Sequence, residues 1–317
     1  MSLRRVLAVA AVLAAVPAAG AGCGFGAGAS SGDVTLTVTR DFGDTPLHQG
    51  IDQEKASEGD TVMRLLQRAY DVKTRFGGGF VQEIDGVAGG HESGRRSDWF
   101  YYVNGIEAPV GAAQRRVSAG ERVWWDHHAW DAAQRVPAVV GSFPEPFASG
   151  SEGKRFPVKM VCAGGEGRSC DEVQKRLEDA GVKAVSRASF EQSSGPEVLR
   201  VVVGRWADVR RDPVARRLER GPGASGVFAR TTPVGDAIVL LDQDGHPVRT
   251  LRAGSGLVAA TSVEGQAPTW IVTGTDEVGV AAAAAALTED RLKDHFALAI
   301  DAGHDVPLPT ALPGTGP

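Results

Sequence analysis

WFYYVNG at residues 99–105 and VWWDHHAW at residues 123–130 decide the reading of the first half of this chain. Aromatic and β-branched residues suit a pleated, half-buried backbone, so both stretches read as strands. Asn104-Gly105 is a hairpin dipeptide, because both residues tolerate the left-handed backbone a two-residue turn needs. Working outward, SAGE at 118–121 is the turn into the last strand. FVQEI at 80–84 is a further strand, preceded by the break GGG at 77–79 and followed by the turn DGVAGG. Upstream, Val62, Leu65, Leu66, Ala69 and Tyr70 recur at helical spacing behind Asp60 and Thr61, residue types that start helices. VTLTVTR at 34–40 alternates as a strand with one buried face does. Strand, helix, then several strands is the order of a β-grasp-like α+β domain, expected over residues 33–131.

The same segments resemble a known family. GDTVMRLLQRAY, GGGFVQEIDGVAG, DWFYYVNG, GAA and VSAGERVWW succeed one another as in the transcobalamin-like C-terminal domain, a bacterial family of unknown function. The matching pieces are Gly59-Asp60-Thr61-Val62, Trp99 with Tyr102-Val103-Asn104-Gly105, Gly111, and Gly120-Glu121-Arg122-Val123. That family is similar to the small β-domain that closes over cobalamin in transcobalamin and intrinsic factor. The resemblance covers about 100 of 317 residues and implies a corrinoid as candidate ligand. The large helical barrel that supplies the other face of that site has no counterpart in this sequence, so another chain would have to complete it. Trp99, Tyr102, Asn104, Trp124 and His127 are the candidate ligand contacts, because aromatic faces pack on planar ligands with few polar anchors. Each matching piece also has a structural explanation, as a cap, an aromatic strand or a turn.

Residues 132–155 contain VPAVVGSFPEPFASGSEG, whose Pro and Gly breaks read as an inter-domain linker. The region 156–317 reads as a mixed α/β domain of no recognised family. FPVKMV (156–161), VKAVSR (182–187) and VLRVVVG (198–204) are strands, and Asp171 to Ala180 is a helix closed by Gly181. Residues 206–221 are helical around Pro213. Strands follow at 227–228, 237–242, 247–251, 256–261 and 269–274, with a hairpin turn at Asp244-Gly245. Asp276 caps a long helix running to Ile300, broken near Thr288, and a disordered tail ends the chain. The expected fold class is therefore α+β, a β-grasp-like transcobalamin C-terminal-type domain followed by a mixed α/β domain.

The N-terminus, MSLRRVLAVAAVLAAVPAAGAGC, has the form of an export signal over residues 1–22. Arg4 and Arg5 precede the uncharged stretch Val6–Val16, too short to span a bilayer that needs about 20 residues. Gly20-Ala21-Gly22-Cys23 resembles a bacterial lipobox, with Gly20 where an aliphatic residue is the rule. Cleavage after Ala21 is the competing reading. Cysteine parity favours lipidation of Cys23, since it leaves Cys162 and Cys170 as a disulfide pair. Residues 23–32 are then lipidated Cys and flexible tether. The expected setting is the extracytoplasmic face of the cell membrane, with free secretion as the alternative.

A formal charge of −5 fits neither a nucleic-acid binder nor an acidic disordered chain. GASSG (28–32) lacks the strand and helix of a nucleophile elbow, and GPGASG (221–226) runs from helix to strand, the reverse of a dinucleotide turn. In Trp124-Trp125-Asp126-His127-His128, alternation puts Asp126 and His128 on one face and Trp125 and His127 on the other. A zinc site would need three or four converging ligands, with His91, Glu92 and Asp98 the residues to join them. Surface histidines on an aromatic strand are the plainer reading, and contacts to a planar ligand the third. The arginines at 205, 210, 211, 216, 217 and 220 read as a solvated helix face. With no catalytic constellation, no metal and no cofactor expected, the sequence points to a non-enzymatic surface lipoprotein. It would bind a ligand, cobalamin among the candidates, or serve as an envelope module docking onto a partner protein.

Overall fold

The computed structural model describes residues 30–48, 52–57, 59–92, 94–165, 167–193 and 195–310. The expected export signal at 1–22, Cys23, most of the expected tether and residues 311–317 of the expected tail lie outside them. In the first half, β1 (Ser30–Arg40) and β2 (Asp52–Ser57) pair antiparallel. Helix α1 (Val62–Ala69) follows, then the hairpin of β3 (Val72–Arg75) and β4 (Phe80–Ile84), and the long strands β5 (Arg95–Val103) and β6 (Arg122–Ala129). β1 and β6 are parallel neighbours, in register from Thr35 opposite Arg122 to Arg40 opposite His127, and β5 lies antiparallel on the far side of β6. A first and a last strand pairing parallel at the centre of a sheet crossed by one helix is the β-grasp arrangement the element order predicts.

Both faces of this sheet are buried, and that explains its composition. Val34, Leu36 and Val38 of β1, Trp99, Tyr101 and Val103 of β5, and Val123 and Trp125 of β6 pack under Val62, Leu65 and Leu66 of α1. Thr61 caps α1, its hydroxyl accepting the Arg64 N–H. The opposite residues, Tyr102 and Trp124 among them, enter a second core shared with the other half of the chain.

That half is built on β7 (Val158–Cys162), α2 (Arg168–Asp179), β8 (Val185–Arg187) and β9 (Leu199–Arg205). A small meander of β10 (Ala229–Thr231), β11 (Ile238–Leu241) and β12 (Pro247–Leu251) comes next. Then follow β13 (Gly256–Thr261), β14 (Thr269–Gly274), α3 (Glu277–Ala285), α4 (Glu289–Leu292), β15 (Ala297–Asp301) and β16 (His304–Leu308). The main sheet has the order β8-β7-β9-β14-β13-β15-β16, parallel through β14 and antiparallel beyond. Helices α2 and α3 cover one face. The segment 206–251 and the first half cover the other. The whole is a mixed α+β structure.

The helix expected over 206–221 is instead a short turn of helix at Trp206–Val209 and a 3-10 helix at Ala215–Arg220, and β16 lies beyond the expected last helix. Three further stretches differ from the sequence reading. Residues 297–301, expected at the end of a helix, form β15, because Ala297, Ala299 and Ile300 find a partner strand in the sheet interior. Ser30 and Gly32, expected in the tether, pair with Ser57 and Ala56. The expected linker 132–155 runs through the interior, with Val136, Ala138, Val139, Val140, Phe143 and Phe147 all buried. Gly226 lets it pass close by, since a Cβ there would lie 2.8 Å from the Val136 Cα.

Candidate functional site at the seam between the two halves

The seam is made by the even residues of β6. Asp126 is wholly buried, and its carboxylate accepts from the Thr39 hydroxyl (2.5 Å), the Gly43 N–H (2.9 Å) and the Phe42 N–H (3.1 Å). His128 Nδ1 lies 2.8 Å from its Oδ1, where a ring N–H donates. A buried carboxylate survives away from water only when its lone pairs are used in this way. The His128 ring is sandwiched between Phe42 and Phe100, each 4.5 Å away between centroids, and meets Phe296 edge-on at 5.3 Å. Trp124 Nε1 donates to the Thr39 hydroxyl at 2.7 Å, which extends the network.

The expected ligand contacts are placed as follows. Trp124 and Tyr102 pack on Phe296, at 5.2 and 5.5 Å between centroids. The Tyr102 hydroxyl is fully buried with no hydrogen-bond partner among the described groups, and burial raises its pKa well above the usual phenol value. Trp99 faces α1 instead, its Nε1 donating to the Val87 carbonyl at 2.9 Å. Asn104 is structural: at φ 53° it makes the hairpin turn, accepts the Arg122 N–H and donates to the Gly150 carbonyl. His127 lies against Trp99, 5.2 Å between rings, on the opposite face from His128. The five therefore do not converge on one surface. The alternation of Asp126 and His128 against Trp125 and His127 is as read, but both histidines are interior: His128 meets Phe296 of the second half, and His127 packs on Trp99 on the other face.

Beside them a cleft of about 170 Å³ opens at the seam, lined by Arg40, Asp41, Arg95, Ser97, His127, His128, Ala129 and Gln243. Arg95 grips Asp244 of the β11–β12 turn through two bonds of 2.6 Å, and this pairing holds the Asp244 carboxyl below its usual range. Nε of Arg40 is buried with no hydrogen-bond partner among the described groups. The cleft is thus polar and of mixed charge, with Asp41 beside Arg40 and with Arg95 already held by Asp244. Pockets for drug-sized ligands run to about 300–1,000 Å³, so a corrin ring is well beyond it. Arg40, Arg95 and Gln243 carry no motif that would have marked them.

Among the described residues, the three His and carboxylate side chains that gather closely are Asp242, Asp244 and His246; His91 and Asp98, weighed as further ligands for the β6 histidines, are not in such a group, and the Glu92 side chain lies outside the described ones. Asp242 there accepts the Asp244 and His246 N–H groups of its own turn. Asp98 holds the Trp130 indole at 3.0 Å, and burial raises its pKa against that bond. Cys162, at the end of β7, is joined to Cys170 in α2 by a disulfide.

Residues 59–129 match the model of a family described as a domain of unknown function, DUF4430, a span from just before α1 to the end of β6. No curated protein matches the chain. Among solved structures, a candidate metal binding protein from Ruminococcus gnavus ATCC 29149 aligns at 15% identity over 31% of this chain and 97% of its own, with a TM-score of 0.23. Haptocorrin in complex with Cbi aligns at 14% identity over 31% of this chain and 25% of its own, with a TM-score of 0.26.

Proposed function

We propose that this chain is an exported, lipid-anchored, non-catalytic protein of the bacterial cell envelope that acts by docking onto a partner. The observation that supports this reading is the closure of the seam. Tyr102 and Trp124, the aromatic face a planar ligand would need, are covered by Phe296 and Phe42 of the same chain. The imidazole paired with a carboxylate, His128, is sealed between Phe42 and Phe100, away from any substrate. The remaining cleft, about 170 Å³, is too small for a macrocycle. The signal at 1–22 and the lipobox-like Cys23 supply the compartment and the anchor.

Two measurements test this. Mass spectrometry of the mature protein should find an N-terminal Cys23 carrying lipid, and a mature start at Gly22 with a bare thiol would overturn the anchor. Calorimetric titration with cobalamin and cobinamide should give no heat of binding. Saturable binding at micromolar concentration would show that the seam opens around a corrinoid, and the docking reading would yield to the ligand reading.

A further inference from the structure

The tip of the β3–β4 hairpin, Arg75-Phe76-Gly77-Gly78-Gly79-Phe80, exposes aromatic surface that no described residue covers. Phe76 is 87% exposed and Phe80 38% exposed. Their rings meet edge-on at 6.4 Å, so they form one patch. Pro109 and Val110 extend it, because Gly111 comes close enough to the hairpin that a Cβ there would lie 3.1 Å from the Gly79 carbonyl oxygen. Two adjacent phenyl rings in water are costly unless something apolar receives them. Phe76 also holds a positive φ of 54°, which turns its side chain out of the hairpin at a cost a merely solvated loop need not bear.

Position says what receives them. A run of contacts leads from this tip to the place where the chain enters the fold. Gly111 abuts Gly79, Met63 N–H donates to the Ala112 carbonyl, Thr61 bridges Arg116, Asp60 bonds Ser57, and Ser57 pairs with Ser30. Backbone contacts thus link the hairpin tip, through the start of α1, to Ser30. Ser30 stands seven positions after Cys23, a reach of at most about 25 Å. Arg64, Arg75 and Arg116 are exposed along this run and form no ion pair among the described residues. Asp33, Asp71 and Glu152 are exposed acidic residues among those described in the first half.

We propose that Phe76 and Phe80, fringed by these arginines, insert into the interfacial region of an anionic lipid bilayer and fix the orientation of the lipid-anchored protein on the membrane. Lipid at Cys23 holds the chain at the surface, and the aromatic tip supplies a second contact that stops it from swivelling. This inference rests on the anchor reading above for its geometry.

The test uses full-length mature protein, lipidated or carrying Cys23→Ser, labelled with the environment-sensitive NBD fluorophore at Phe76→Cys. Val278→Cys, 69% exposed on α3, is the control site. On vesicles of phosphatidylglycerol and phosphatidylethanolamine, NBD at 76 should shift to the blue and be quenched by brominated acyl chains, whereas NBD at 278 should stay in water. In the Cys23→Ser background, Phe76→Ser with Phe80→Ser should weaken vesicle binding roughly tenfold. If NBD at 76 reports water on lipidated, vesicle-bound protein, the inference falls and the anchor stands. If the label is shielded only when an envelope protein is added, the tip is a protein contact and the inference falls as well. If mass spectrometry finds no lipid on Cys23 while the tip still enters vesicles, the anchor reading fails alone.

Discussion

His128 Nδ1 lies 2.8 Å from Asp126 Oδ1, and neither side chain reaches solvent. Residues two apart on a strand share a face, so the pair is written into β6 itself. What makes it rigid comes from elsewhere in the chain. Phe42 and Gly43 present their N–H groups to the same carboxylate, and Phe296 closes the far side of the imidazole. The pair ties the loop after β1, the strand β6 and the turn before β15 into one core.

Replacing Asp126 with Ala should therefore destabilise the protein by about 3–5 kcal/mol, the usual cost of stranding the partners of a buried charge. Asp126→Asn should cost less, because one amide oxygen still accepts. Urea unfolding measures both. A loss below about 1 kcal/mol in the alanine variant would show that the network contributes little.

Gly43 stands at φ 89°, and a Cβ there would lie 1.9 Å from the Asp294 carbonyl oxygen. Gly43→Ala should thus part the seam and cost more than the conformational penalty of about 1–3 kcal/mol. Gly59, at φ 85° with open space around it, is the matched control for that penalty alone. Equal losses in the two variants would mean that the close approach at Asp294 is readily relieved.

Burial holds the His295 pKa below its ordinary 6.5, with Asp294 nearby opposing. The unfolded chain restores the ordinary value, so it binds protons first as pH falls. Stability from this group is whole above pH 6.5 and declines as pH drops through the window down to the lowered folded value. Burial raises the Asp294 pKa, which acts in the other direction and nearer the ordinary carboxylate value of 3.8. Thermal melts at pH 7.5 and 5.5 should show a smaller drop for His295→Gln than for the parent protein. Identical drops would assign the acid sensitivity to other groups.

The Cys162–Cys170 disulfide closes a short loop between β7 and α2. Loop-closure entropy gives such a cross-link roughly 2–3 kcal/mol. The Cys162→Ser, Cys170→Ser double variant should unfold at correspondingly lower urea, with the slope of the transition little changed.

Local chemistry made much of the first half readable. Asn104-Gly105, the cap at Thr61 and the strict alternation of VTLTVTR each act over a few residues, and each reappears in the structure. The function of the aromatic strands was not readable in the same way. WFYYV and VWWDHHA carry aromatic or imidazole rings on both faces, and a sequence cannot say whether the second face awaits a ligand or meets its own chain. The partner that settles it, Phe296, lies far along the chain from Trp124. The same distance explains the misread end of α3: an alanine-rich run and FALAI look alike as helix until β13 is there to pair with β15. Arg40 and Arg95 line a cleft formed only by the meeting of two halves, so no spacing along either half announces them.

The parallel pairing of β1 with β6 has a consequence for how the family boundary is drawn. The match begins at residue 59, yet the strand that runs alongside Arg122–His127 starts at Ser30. A fragment cut at residues 59–129 would leave one margin of β6 as an open row of N–H and C=O groups, beside bare indole and phenol rings from the seam. Such a margin templates strand addition from a second molecule, so that fragment should clump where the chain from Ser30 stays dispersed. The matched segment of this chain is thus smaller than the sheet it belongs to.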